Sequence, residues 1–487
     1  MWRKTLILIT LFTAFSLGFY LLFSQQLVGL GFPLDDAWIY QTYTRNLAQR
    51  GEWAFLPGQP SAGATGPLWV LSLAPGYYLG LPYKMWTYLL GWGLLCCLGV
   101  MGSLAWRSLA PEHLGWAPWV GVFFAFEWHF VWAAGAGMET LLFIVLVALV
   151  FVWMVSGWKR WFLLGVVVGL ATCTRPDGVT LLGPVVFMLV FSPSSWREKF
   201  NWTVMFLSGF ILLFCPYLLF NRAVSGVWWP STYYAKQLEY SISQQALYWR
   251  RWIKLFSLPL VGVGVLLLPG WLWSLCESIR KKKVDFLAGS LWMLGYISVY
   301  AWRLPVTYQH GRYLMPVLPV LCLWGLSGLA KWIKTGSAKF WGRVLLRAWI
   351  SAMILVLGIF WYLGAQAYAR DVALIETEMV DAALWVKTHT GVQEVVAAHD
   401  IGAIGYFSDR ELVDMAGLVS VEVIPFLRDE ERLAEYLDRQ GVEYLVTFPG
   451  WYPKLVAGKE VVYSTQGVFS PAMGGENMVV YRWRRGD

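Results

Sequence analysis

Charge and cysteine are what this sequence has least of. Charged residues make up 14% of the 487, while hydrophobic ones reach 58%. A chain so poor in charge cannot clothe a water-facing surface of ordinary composition, and a bilayer is its natural solvent. The six cysteines, Cys96, Cys97, Cys173, Cys215, Cys276 and Cys322, all fall in apolar stretches. Their spacing suggests neither a zinc site nor a disulfide framework. The segment 371–487 has no P-loop and no G-x-G-x-x-G phosphate fingerprint. No A-x-A-like cleavage site follows the first apolar run, 5–23, behind Arg3 and Lys4. That run is therefore expected to remain as an uncleaved signal anchor.

Aromatic side chains are abundant instead, with 32 Trp, 24 Tyr and 28 Phe. Indole and phenol rings favour the headgroup level, so many are expected as belt anchors and not as ligand platforms. Further apolar runs lie near 86–105, 116–134, 140–156, 161–173, 179–191, 203–220, 255–276, 286–302, 313–330 and 348–368. Several are shorter than the roughly 20 residues that span hydrocarbon, but together with the first they count about eleven crossings.

Lysine and arginine test that count, because they collect in cytoplasmic loops. With the N-terminus inside, alternate connections hold Arg107, then Lys159 and Arg160, then Arg197 and Lys199, then 280–283, and finally Lys331, Lys334, Lys339, Arg343 and Arg347. The assignment requires 67–81, interrupted by Pro75 and Gly76, to lie along the outer interface without crossing. The net charge of +8 conceals a division: residues 371–487 carry 10 Lys+Arg against 19 Asp+Glu, leaving 28 and 11 of the chain's 38 and 30 before them. A basic excess flanking apolar spans reads as topology, so a nucleic-acid partner is set aside. In the tail, 371–390 and 429–440 have helical patterns, and 394–398, 443–448 and 477–483 read as strands. The expected architecture is an α-helical polytopic membrane protein over residues 1–370, with a small extracytoplasmic α/β domain over 371–487. Its expected place is the plasma membrane, with the N-terminus cytoplasmic.

Only eleven acidic residues precede Asp371, and this orientation puts Asp35, Asp36, Glu52, Glu139, Asp177 and Glu239 on or near the outer side. Asp35 and Asp36 precede an amphipathic stretch, 37–49, in which Ile39, Tyr43 and Leu47 share a face. One aspartate suffices to cap that helix. The second, beside a membrane surface, is a candidate general base or metal ligand. Glu139, in Gly137-Met138-Glu139-Thr140, either favours a helix dipole or acts in a site. Arg175-Pro176-Asp177-Gly178 interrupts an apolar hairpin. As a turn it needs only an Arg175–Asp177 pair, yet a forked guanidinium is also what a phosphate oxyanion needs. His310, Arg312 and Tyr313 form a second cationic turn. Trp228, Trp229 and Pro230 with Tyr233, Tyr234 and Lys236 form a third cluster, suited to stacking on a sugar or to anchoring at the interface. Glu127 and His129 lie inside an expected span, where ionisable groups are costly and face an interior.

The order of these motifs is familiar. Pro33-Leu34-Asp35-Asp36-Ala37-Trp38-Ile39-Tyr40, Arg45-Asn46-Leu47-Ala48 and Thr65-Gly66-Pro67-Leu68-Trp69 resemble the first outer loop of GT-C glycosyltransferases, in the arabinofuranosyltransferase-like and protein mannosyltransferase-like branches. The 137–140 step resembles the family's G-[LM]-E-T, and 175–178 its R-P-[DE]-G turn. Later matches are 230–236, 311–316 and His399-Asp400-Ile401-Gly402 with Gly405-Tyr406.

The resemblance implies an enzyme that takes a hexosyl or pentosyl group from a polyprenyl-phosphate-sugar donor to a glycan, lipid or protein acceptor at the outer face. An aspartate of the first loop would act as base, Asp35 slightly ahead of Asp36, with Glu139 beside them. Arg175, Asp177, Tyr233, Lys236, His310, Arg312 and Tyr313 are then the expected substrate-binding residues. A divalent cation on Asp36 and Glu139 is a further expectation, since hard cations take oxygen ligands. Asp400 either acts in the site or organises the tail. The rival classes are a lipid-linked sugar transporter or flippase, against which stands the lack of a clear internal repeat, and an envelope assembly protein working through its tail.

Overall fold

A computed structural model describes residues 2–336 and 340–484. Lys339 and the side chain of Lys334, two of the expected cytoplasmic cations, lie outside the described residues. Among the described residues six helices are long and apolar enough to cross a membrane: Trp2–Leu27, Tyr83–Leu109, Trp196–Ser225, Val284–Arg303, Gln309–Trp332 and Phe340–His389. A seventh is reached if Tyr248–Leu260 and Gly264–Lys281, which meet at 105°, act as one span. The protein is thus α-helical and polytopic, with six or seven crossings by length and composition where the sequence reading counts about eleven.

The difference lies in short helices. Thr140–Val155 has 16 residues and Trp161–Thr174 has 14, and at about 1.5 Å per residue each is shorter than a hydrocarbon core of about 30 Å, so neither is counted by length. The run at 116–134 is broken into Ala117–Phe126 and Trp128–Gly135 by Glu127, whose backbone is extended. Glu127 Oε2 accepts from the Phe130 amide at 3.2 Å, and Oε1 lies 2.7 Å from His129 Nδ1. This buried pair caps a helix within the bundle and satisfies itself.

Helices pack closely where side chains are absent. A Cβ on Gly165 would strike the Phe206 carbonyl, and one on Gly209 the Phe162 carbonyl. The Trp161–Thr174 and Trp196–Ser225 helices therefore touch backbone to backbone, the usual way small residues serve helix pairs in lipid.

The expected boundary at residue 370 falls inside a helix. Phe340–Ile375 continues through a π-helical turn, Glu376–Val380, into Asp381–His389. Fifty residues reach roughly 75 Å, more than twice the hydrocarbon thickness, so the element leaves the apolar zone and becomes the support of the tail. A short hairpin, β1 (Ala54–Leu56) and β2 (Gln59–Pro60), follows the Asp36–Arg50 helix. The tail adds β3 (Val395–Ala398), β4 (Glu411–Asp414), β5 (Tyr444–Thr447), β6 (Glu460–Ser464) and β7 (Val479–Arg482), ordered β4-β3-β5-β7-β6. The first three are parallel, and β7 runs antiparallel to β5 and β6. Central β5 is buried along its whole length, as strands covered on both faces are.

Between β3 and β4 the Ile401–Phe407 helix docks onto the Asp36–Arg50 helix. Trp38 packs on Tyr406 and Phe407 with ring centroids 5.1 and 4.6 Å apart, and Arg45 Nη1 donates to the Tyr406 carbonyl at 2.8 Å. The first loop and the tail are joined at the point where the paired aspartates sit.

Candidate active site

Successive residues on a helix point roughly 100° apart, so adjacent aspartates at its start face different neighbours. Asp35 faces the tail. Its Oδ2 accepts from the Gly402 amide at 2.7 Å and its Oδ1 from the Ala403 amide at 2.8 Å. It therefore caps the Ile401–Phe407 helix and makes no side-chain cap bond to its own. Burial and the Asp400 charge push the Asp35 carboxyl upward, against the two amides. Space there is tight, since a Cβ on Gly402 would strike the Asp35 backbone carbonyl and lie 2.6 Å from its Oδ2. Gly402→Ala is expected to displace that carboxylate and cost about 1–2 kcal/mol, the range of a lost cap. An unchanged thermal unfolding midpoint would show that the contact is slack.

Asp36 turns the other way, into a cavity of about 310 Å³. Arg312 Nη2 donates to its Oδ2 at 2.6 Å, and Lys236 Nζ lies at 3.3 Å. Burial disfavours charge on Asp36, but the Lys236 ammonium and the Arg312 guanidinium outweigh it and hold the carboxyl well below its usual range. Burial likewise pulls Lys236 down, yet the Asp36 charge carries it above the ordinary lysine value. Because the folded Asp36 value is lowered, the stability this contributes is complete above the unfolded value of about 3.9. It is lost only as pH falls through the depressed folded value.

Arg312 is 3% exposed, and its Nη2 serves Asp36 and the Tyr313 hydroxyl. Its Nε and Nη1 have no partner among the described residues. Buried donors left unpaired are costly, and the residue that holds them lines the cavity beside Lys236, a setting that favours an anion. Arg175 is differently placed. Its Nη2 is 2.9 Å from Asp177 Oδ2 and 2.9 Å from the Tyr300 hydroxyl, and its Nη1 is 3.6 Å from Glu139. The turn pair is thus formed, with Tyr296 and Tyr300 also donating to Asp177. Glu139 is 5% exposed and its Oε2 has no partner among the described residues.

The cavity collects Asp36, Glu139, Arg175, Asp177, Tyr233, Lys236, Arg312 and Tyr313. Two expected residues, Asp35 and His310, are absent from its lining. His310 Nε2 lies 2.7 Å from Asp371 Oδ2, its ring set edge-on against Trp128 and Trp132, and it borders a second cavity of about 1040 Å³. Sequence reasoning missed Tyr300 and Arg303 in the first cavity and Asp371, Trp451 and Tyr452 in the second. Tyr300 and Arg303 end an apolar run, where they look like belt anchors.

The expected divalent-cation site is not assembled. Among the described residues no group of three or more His, Cys, Asp or Glu side chains is placed to hold a metal ion. Asp36 is engaged by two cations and Glu139 by a third, which is not the donor set of a hard cation.

The bundle of apolar helices, with a first-loop helix packed against a small mixed-sheet tail, has a GT-C-like fold by comparison with solved structures. ArnT from Cupriavidus metallidurans, bound to undecaprenyl phosphate, superposes with a TM-score of 0.60 over 98% of both chains at 15% identity. The oligosaccharyltransferase AglB from Archaeoglobus fulgidus, in complex with an inhibitory peptide and a dolichol-phosphate, gives 0.62 over 92% of this chain and 69% of that one at 12% identity. Arabinofuranosyltransferase AftD from Mycobacteria gives 0.51 at 14% identity, this chain covering 40% of that longer one. At such identities the likeness is one of fold. Residues 366–481 match a family described as Domain of unknown function (DUF8728). No curated protein sequence matches the chain.

Proposed function

We propose that this protein moves a sugar from a polyprenyl phosphate carrier to an acceptor hydroxyl at the outer face of the plasma membrane. The observation that carries the reading is Arg312, a buried guanidinium lining a cavity that Lys236 also lines, bonded to Asp36 through one nitrogen while its other two nitrogens have no partner among the described residues. A phosphate ester satisfies those donors, and its prenyl tail suits the apolar residues around them. ArnT and AglB have been solved with undecaprenyl phosphate and with a dolichol-phosphate, which supports the same chemistry here.

In the reaction, the bond between the sugar's C1 and the phosphate oxygen breaks while the acceptor oxygen bonds to C1. The polyprenyl phosphate leaves with the electron pair, and Lys236 and Arg312 meet its growing charge. The acceptor's proton passes to Asp36. Before the donor binds, the same two cations make Asp36 a weak base. A phosphate seated on them draws their field away, so the carboxylate gains proton affinity as the donor arrives. Glu139 lines the same cavity and holds Arg175 in place there, and Asp35 holds the tail. Lys236→Met, which leaves burial opposed by Arg312 alone, is expected to move the acid limb of the pH–rate profile upward. A limb that stays put would separate Lys236 from the base.

The reading keeps residues 1–370 as the catalytic helices and 371–487 as an outward tail, with the basic connections cytoplasmic. Contacts among those connections support it. Arg107 lies 4.9 Å over the Trp2 ring, Lys159 5.5 Å over Trp202, and Lys331 3.2 Å from Glu277, itself 2.7 Å from Lys281.

The test is reconstitution in liposomes with undecaprenyl-phosphate-linked hexose and pentose donors, following release of sugar from the carrier. Neither transfer nor hydrolysis with any donor, together with no binding of undecaprenyl phosphate, would end the reading. Sugar that crosses the bilayer with its phosphate bond intact would replace it with transport.

A further inference from the structure

The second cavity, about 1040 Å³ between the helical body and the sheet, differs in kind from the first. Carboxylates outnumber cations in its wall, where Lys236 and Arg312 are paired with Asp36 and His310 with Asp371, and aromatic rings stand among them. Glu239, closing the Ser231–Glu239 helix, stands 3.8 Å from His399 Nε2, and His399 Nδ1 lies 2.7 Å from the Tyr452 hydroxyl. The His399 ring meets the Trp451 ring edge-on at 4.8 Å. Trp451 is 49% exposed, so much of its indole surface is bare. The side chain of Asp400, next along the chain, makes no cap bond to the helix it precedes and borders the cavity. Arg428 also borders the cavity, but its guanidinium is turned to the carbonyls of Leu238 and Glu239. Asp36, Lys236, Arg312 and Tyr313 border both cavities. Asp36 is thus within reach of a molecule in either cavity, with Lys236 and Arg312 beside it.

We propose that the second cavity binds the acceptor as a carbohydrate without negative charge, its hydroxyls donating to Glu239 and Asp400 and one ring face lying on Trp451. This rests on the transferase reading and adds the acceptor's class to it. Ionised carboxylates only accept hydrogen bonds, and sugar hydroxyls donate them. The C–H face of a sugar ring is apolar enough to cover an indole while its edge stays polar. Phosphorylated or uronic acid acceptors would set like charge against Glu239 and Asp400, the repulsion by which a site rejects a wrong partner. The volume stands at the top of the roughly 300–1,000 Å³ usual for small-ligand cavities, room for more than one ring. A saccharide presents a hydroxyl to Asp36 from nearly any seated pose, whereas a basic peptide must place a Ser or Thr there.

The experiment measures binding, apart from turnover. Full-length protein in nanodiscs is passed over immobilised maltotriose, a chitosan oligomer, an oligogalacturonate and an Arg/Ser-rich peptide. Maltotriose or the chitosan oligomer should be retained, with the oligogalacturonate roughly tenfold weaker or more. Trp451→Ala and Asp400→Asn should each lower retention roughly tenfold, an ordinary loss for a contact at the centre of a site, while both variants still bind undecaprenyl phosphate. Because Trp451 is half exposed and Asn is isosteric with Asp, misfolding is checked by that second binding. Preference for oligogalacturonate or for the peptide, or full retention by both variants, overturns the proposal. Glycan retention with no transfer from any donor leaves this cavity standing and sinks the transferase reading, and transfer to uronate acceptors does the reverse.

Discussion

Asp36→Asn is expected to lower kcat for sugar transfer by roughly 10²–10⁴-fold, the range that a positioned general base supplies. Asparagine keeps the shape and removes the charge, so the cavity survives while the proton has nowhere to go. Lys236 and Arg312 lose their resident anion at the same time, which should leave undecaprenyl phosphate binding equal to or tighter than in the wild type. A collapse of rate without a loss of donor affinity is the signature of Asp36 as base. Equal losses in both would recast it as a structural counter-charge. Asp35→Asn should do something else: with one oxygen replaced by an amide nitrogen, it cannot accept from both Gly402 and Ala403. Its main effect should be lower stability and easier proteolysis of the tail, with a smaller effect on rate.

Arg312→Ala should have the second largest effect, on the donor side. Truncating one partner of a buried, hydrogen-bonded charge pair costs about 2–5 kcal/mol, so undecaprenyl phosphate should bind roughly 30-fold more weakly or worse. Arg312→Lys restores the charge without the fork and should fall between the two. Arg175→Ala gives the contrast. Its guanidinium is committed to Asp177, Tyr300 and Glu139, so its loss should lower the thermal midpoint more than it lowers donor affinity. Donor affinity falling more for Arg175→Ala than for Arg312→Ala would exchange the roles proposed for the two arginines.

How far the site was legible depended on the distance over which each feature was decided. The candidate residues of the first cavity could be picked from the sequence because acids and clustered cations are rare in so apolar a chain. The choice between adjacent aspartates could not. The sequence leaned towards Asp35, but the amides that engage Asp35 lie 367 and 368 residues further on. His310 and Arg312, two residues apart, part company for a local reason. Gln309, His310 and Gly311 all have positive φ, and that run turns the chain so that Arg312 reaches Asp36 while His310 reaches Asp371.

Span counting met a similar limit. Hydropathy registers how apolar a stretch is and not how long its helix runs, so stretches that form helices of 14 and 16 residues count in the sequence as spans and fall outside a count made by length. Glu127 was visible as an ionisable group in an expected span, but not as the point where that span breaks. The sign of charge changes near residue 371 while the helix beginning at Phe340 runs on through Ile375. A surface property and a backbone property thus placed the tail's start differently.

The sequence by itself determined the solvent, the helical class, the presence of a small mixed α/β tail, and the short set of polar residues from which a site could be built. Each of these follows from composition and local periodicity, which belong to the chain alone. Only the tertiary structure decided which of those residues meet. Lys236 and Arg312 reach Asp36 across 200 and 276 residues of chain, and Asp35 turns to the tail because the Ile401–Phe407 helix docks beside it. Contacts of that kind are set by how helices and sheet pack, and separation along the sequence carries no measure of separation in space.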